Sequence, residues 1–67
     1  MQVIQGAFIM EAGKKEKIEK AARRLFGEKG YHDTSLRDIS RQAGVSVSSI
    51  SYYFGTKEEL YQTLMPK

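Results

Sequence analysis

The chain has no cysteine, no tryptophan, one proline and one histidine among its 67 residues. Each shortage closes off a class of function. Without cysteine there is neither a disulfide nor a thiolate metal site. With His32 as the lone histidine, set in a turn-like stretch, no His/Cys set can hold a metal. The serines of residues 46–51 have no base beside them, so no nucleophile is activated. Gly27-Glu28-Lys29-Gly30 is too short for a phosphate loop and has no strand before it. These absences argue against an enzyme and imply no cofactor. No apolar run approaches the ~20 residues needed to cross a bilayer, which argues against a membrane partner. Strand-like alternation, internal repeats and low-complexity stretches are lacking as well. Sixty-seven residues allow one small domain of marginal stability. Beside a packed core there is no room for a ligand pocket of ~300 Å³ or more.

What the chain does have is positive charge and helical periodicity. Eleven Lys and Arg stand against eight Asp and Glu, a net charge of +3, and the pI is about 9.3. That balance favours a polyanionic partner. The charge is uneven: residues 14–24 carry six Lys or Arg against Glu16 and Glu19, whereas residues 58–67 carry Glu58 and Glu59 against Lys67.

Residues 1–13 are apolar at Val3, Ile4, Ala7, Phe8, Ile9 and Met10. They lack the cationic start and long apolar stretch of a secretory signal. They read as a flexible leader or extension, with residues 14–67 as the folded domain. Minor-groove arms use Arg or Lys, and neither occurs before Lys14.

From Lys14 the pattern is helical throughout. Ile18, Ala21, Ala22, Leu25 and Phe26 fall at i, i+3, i+4, i+7 and i+8, one stripe of an amphipathic helix running to Lys29. Its other side carries Lys17, Lys20, Arg23, Arg24 and Glu28, a solvated face or one that steers a polyanion. Gly30 is a natural stop, and Tyr31 is expected to fold back on the core. Thr34 and Ser35 both offer caps for a second helix, and Ser35-x-x-Asp38 matches a capping box. Leu36, Ile39 and Ala43 give that helix its buried face. Gly44 ends it where positive φ is needed, and Val45 fills the core from the turn. Ser46 caps a third helix with Ile50 and Phe54 inward. Gly55 breaks it. Thr56-x-x-Glu59 opens a fourth, with Leu60, Tyr61, Leu64 and Met65 inward and Pro66 as its stop. The fold class is therefore all-α: a three-helix bundle with a homeodomain-like helix-turn-helix, plus a fourth helix leading away.

On the third helix, Ser48 and Tyr52 point opposite Ile50 and Phe54. Ser49 and Tyr53 take one flank and Ser51 the other; Tyr53 is either partly core or outward. The wheel places Val47 near Phe54, yet at the first turn it can also project past the core and touch a thymine methyl. Small hydroxyls permit close approach to base edges. Tyrosine hydroxyls and lysine ammonium groups suit phosphate oxygens. Arg37, near the start of the second helix, can reach a guanine edge or a phosphate. Lys57 is a surface charge or a phosphate contact. The competing reading is a small helical protein-interaction module without strong DNA affinity.

Three ordered blocks carry a resemblance: Ile18-x-x-Ala21-Ala22-x-x-Leu25-Phe26-x-Glu28-x-Gly30-Tyr31, Thr34-Ser35-x-x-x-Ile39-Ser40-x-x-Ala43-Gly44-Val45-Ser46, and Ile50-x-Tyr52-Tyr53-Phe54-x-x-Lys57-Glu58-x-Leu60. Over about residues 14–65 the chain resembles the DNA-binding domain of the tetracycline-repressor (TetR) family. The resemblance implies that the third helix is the recognition helix. It implies DNA contacts at Arg37, Val47, Ser48, Ser49, Ser51, Tyr52, Tyr53 and Lys57. It also implies a bacterial cytoplasmic, nucleoid-associated regulator, most often a repressor, that binds a double-stranded palindromic operator as a homodimer. In that family a larger helical C-terminal domain binds effectors and forms the dimer interface. Lys67 falls where that domain begins, so effector binding and dimerisation are not assigned to these residues, which are expected to be monomeric by themselves. Two positions depart from the family pattern: Ser48 stands where glycine is frequent, and Ser51 where tyrosine is.

Overall fold

The computed structural model describes the backbone of residues 2–65 and the side chains from Gly13 onward. Four helices follow one another: α1 (Gln2–Lys29), α2 (Leu36–Ala43), α3 (Val47–Phe54) and α4 (Lys57–Leu64). No strand occurs among the described residues. The first helix begins earlier than the expected Lys14: its backbone is helical from Gln2, through the stretch read as a leader. Pro66, read as the stop of the fourth helix, lies outside the described residues.

The apolar stripe of α1 becomes the floor of the core. Ile18, Ala21, Ala22, Leu25 and Phe26 are all buried, and Ile39 of α2, Ile50 of α3, and Leu60 and Leu64 of α4 close over them. Tyr31, Leu36, Ala43, Val45, Tyr53, Phe54 and Tyr61 pack around this centre, half-buried. Phe54 faces inward but, like Leu36, Ala43 and Tyr61, is only half-buried at the margin of the core. One inward expectation changes. Met65, which follows α4, is 42% exposed because the helix ends at Leu64 and the chain has left the inward face.

The helix ends are closed by local chemistry. Gly30, at φ 87°, donates its N–H to the Phe26 carbonyl (2.9 Å) and ends α1. The two candidate caps of α2 separate into different roles. Ser35 is the cap, with both halves of the box formed: the Asp38 N–H donates to Ser35 Oγ (3.0 Å) and the Ser35 N–H to Asp38 Oδ2 (3.1 Å). Thr34 is fully buried instead. Its hydroxyl lies 2.9 Å from the Gly30 carbonyl and 3.1 Å from that of Leu25. Its single hydrogen is thus shared between a carbonyl in the last turns of α1 and the one just past its end. A threonine next to a serine gives two cap signals, and only the one three residues before an acid completes a box.

Candidate nucleic-acid interface

The turn between α2 and α3 sets the site. Gly44 adopts φ 74°, ψ 31°, a left-handed conformation that costs a side-chain-bearing residue roughly 1–2 kcal/mol. The amides of Gly44 (2.9 Å) and Val45 (3.1 Å) both donate to the Ser40 carbonyl. The Ser40 hydroxyl in turn donates to the carbonyl of Val45. One residue thus holds the turn from both sides. The sequence reading passed over this role for Ser40; its position four residues before Gly44 was the available signal. Val45 then packs against the core, as expected.

Ser46 caps α3 by accepting the Ser49 N–H (3.1 Å), and its hydroxyl also donates to Ser49 Oγ (3.1 Å). Burial of Ile50 fixes the rotation of the helix about its axis. The outer face follows from that rotation. Ser48 and Ser51 are exposed, and Tyr52 is 82% exposed. Val47 is 38% exposed, so the first turn carries it past the core. Ser49 is half-buried beside the cap. Tyr53 is half-buried and packs against the core, with its ring 5.2 Å from that of Tyr52, edge to face. Arg37 is exposed in the first turn of α2. Five of the eight expected positions thus lie open to solvent: Arg37, Val47, Ser48, Ser51 and Tyr52.

Lys57 is placed differently. It is half-buried, and its Nζ donates to the carbonyls of Tyr31 (2.8 Å) and Thr34 (2.9 Å).

The electrostatics favour an anionic partner on this side. From Ile39 to Lys57 the chain contains no Asp or Glu. The nearest acid before α3 is Asp38, which is already committed. The Ser35 N–H and then the Lys29 ammonium (3.1 Å) hold its carboxyl below the usual value of 3.8. His32, exposed in the α1–α2 loop, stands edge-on to Tyr31 (5.5 Å). Among the described residues no group of three or more His, Cys, Asp or Glu is placed to hold a metal. A groove of about 300 Å³ does lie between α1 and α2, lined by Lys17, Lys20, Ala21, Arg24, Gln42 and Ala43. It reaches the size the chain was expected not to accommodate. The expectation concerned a cavity beside the core, whereas this groove is open and formed at the surface where two helices diverge.

A glycine-turned helix-turn-helix with uncharged hydroxyls on its second helix is an arrangement that can place that helix in a DNA groove. Comparison with known proteins agrees. Residues 18–64 match the family described as "Bacterial regulatory proteins, tetR family", and the chain belongs to it.

Among its relatives is a probable HTH-type transcriptional regulator, YttP of Bacillus subtilis, 43% identical over 56 residues, which cover 84% of this chain and 27% of that protein. A second is IcaR of Staphylococcus epidermidis, a negative transcriptional regulator of the biofilm operon icaADBC. It is 44% identical over 48 residues, covering 72% of this chain and 26% of IcaR. A crystal structure of a HlyIIR mutant superposes with a TM-score of 0.78 at 44% identity, covering 81% of this chain and 30% of that one. The chain thus spans about a quarter of the length of the curated relatives it matches.

Proposed function

We propose that this chain is the operator-reading module of a bacterial transcriptional repressor, acting on double-stranded DNA. The observation that carries the reading is the outer face of α3, where Val47, Ser48, Ser51 and Tyr52 are exposed on a helix held by the Ser40 turn. A short helix presenting small hydroxyls and a methyl-bearing side chain suits the major groove, where such groups approach base edges closely. The absence of acids from Ile39 to Lys57 removes repulsion from the phosphates. In this reading Ser48, Ser51 and Val47 face bases. Tyr52 reaches a base edge or a phosphate, and Tyr53 and Ser49 contribute at the flank. Arg37 contacts a guanine edge or a phosphate from α2. IcaR is by its name a negative regulator, which supports the repressor role. The exposed outer face of α3 favours this reading over a protein-interaction module.

Joined to a dimerising domain, two copies would read the halves of a palindrome in the bacterial cytoplasm, at the nucleoid. By itself the module is a monomer that contacts one half-site, so its affinity comes mainly from counterion release. Titration of a fluorescent mixed-sequence duplex at several salt concentrations tests this. Micromolar or weaker binding that falls with salt, with a log–log slope of a few units, is expected. Selection from randomised duplexes with a dimeric fusion should return a palindrome. Absence of salt-dependent binding would overturn the reading.

A further inference from the structure

Lys57 opens α4, beside the Thr56 cap, where free N–H groups and an ammonium would together suit a phosphate. The structure engages much of that set elsewhere. An ammonium has three N–H donors. Two of them meet the Tyr31 and Thr34 carbonyls at 2.8 and 2.9 Å, and the Nζ lies 4.2 Å from the centroid of the Tyr31 ring. Part of the helix end is taken as well. Thr56 Oγ1 accepts the Glu59 N–H (3.1 Å), and the Glu59 carboxylate accepts the Thr56 N–H (2.9 Å). Glu58 adds a second negative charge in the same turn. A phosphate here would meet two carboxylates and an ammonium already engaged.

The two carbonyls belong to the loop that joins α1 to α2. Thr34 is anchored inward by its hydroxyl, and the next residue, Ser35, caps α2. The ammonium therefore grips the chain one residue before the cap of α2. Tyr61, one turn further along α4, holds the same loop through its ring, 4.9 Å from that of Tyr31.

We propose that Lys57 is a positioning residue that latches the start of α4 to the α1–α2 loop and so sets where α2 begins and where Arg37 is aimed. It does not carry a DNA phosphate. The role given to Arg37 rests on the DNA-binding reading; the latch does not.

The chain as it stands allows the test. In the wild type, the Lys57 Hε protons, next to an Nζ held 4.2 Å from the Tyr31 ring centroid, should resonate upfield of those of the exposed lysines, and should stay there when a mixed-sequence 24-base-pair duplex is added. Lys57→Met keeps most of the stem and removes the charge. It should lower the melting temperature by about 5 °C or more, given what charged hydrogen bonds contribute in a domain of this size. It should also speed amide exchange at Asp38 and Ile39. Its DNA salt slope should equal that of the wild type.

The proposal is overturned if the wild-type Hε protons show unshifted positions, or lose their shift on adding the duplex. It is also overturned if Lys57→Met melts with the wild type while its slope falls by about 1, the signature of a lost phosphate contact. If Lys57→Met does not fold, the wild-type shifts, with and without duplex, decide. If the wild type shows no salt-dependent binding, the functional reading fails, while the free-protein shift and the melting temperature still judge the latch.

Discussion

Removing the ring of Phe26 should unfold most of the domain. Phe26 is 5% exposed and sits where α1, the α1–α2 loop and α4 meet. Its ring lies 5.8 Å from Tyr31, stacked, and 5.0 Å from Tyr61, edge-on. Phe→Ala at a core position costs roughly 3–5 kcal/mol, transfer and cavity together. A chain of this length holds only about 3–10 kcal/mol in all, at ~0.05–0.15 kcal/mol per residue. The loss is therefore a third of the total at best and the whole at worst. The cavity cannot collapse cheaply, because the neighbours are rings held by their own contacts and the Tyr31 carbonyl is tied to Lys57. Phe54→Ala provides the internal control. Phe54 is half-buried at the core margin, so much less apolar area returns to water and the cost should be about half as large. Circular dichroism at 222 nm with thermal melting measures both. Phe26→Ala should be largely unfolded at 25 °C, and Phe54→Ala should retain a cooperative transition at lower temperature. If Phe26→Ala melts close to the wild type, or Phe54→Ala is the more damaging, the assignment of the core centre is wrong.

Three further outcomes follow from the geometry. Gly55→Ala should destabilise by about 1 kcal/mol or more, because Gly55 has φ 89° and an added Cβ would come within 2.0 Å of Glu59 Oε1, displacing the carboxylate that accepts the Thr56 N–H; urea unfolding measures it. Asp38 has a folded-state pKa below its ordinary 3.8, so its stabilising contribution is complete above that pH and lost as pH falls through the lower folded value. The stability gap between wild type and Asp38→Asn should thus be constant above about pH 5 and narrow below 3.8 in acid melts. Arg37→Ala in a dimeric fusion should cost ~1–3 kcal/mol and relax preference at one operator position if the guanidinium reads a guanine. Unchanged preference at every position in a randomised-operator selection would reduce Arg37 to a phosphate contact.

Much of the helical framework was legible because its signals are local. A capping box spans four residues, so Ser35 with Asp38 and Thr56 with Glu59 could be read without knowing what lies nearby. The stripe from Ile18 to Phe26 depends only on helical period, and all five of its residues are buried. Gly44 at the turn and the outward direction of Ser48 and Tyr52 follow from the same short-range rules, and the ordered pattern of residues carried the family.

Other features needed the packed molecule. The capping box marks Ser35 as the cap, but the inward role of Thr34, whose hydroxyl meets the Leu25 and Gly30 carbonyls, does not follow from cap chemistry. A helical wheel treats Phe54 and Ile50 alike, but the packed core covers only Ile50 completely. Lys57 shows the division most sharply. Its neighbours along the chain mark it as a charge at a helix start. Its partners, the Tyr31 and Thr34 carbonyls, lie 26 and 23 residues away in sequence. Chain-local chemistry determined the three short helices, their N-caps and the face of α3, but not where α1 begins. Where a flexible cation finds its oxygen acceptors was decided only when α4 crossed the α1–α2 loop, because a hydrogen bond depends on a distance of about 3 Å that no sequence separation prescribes.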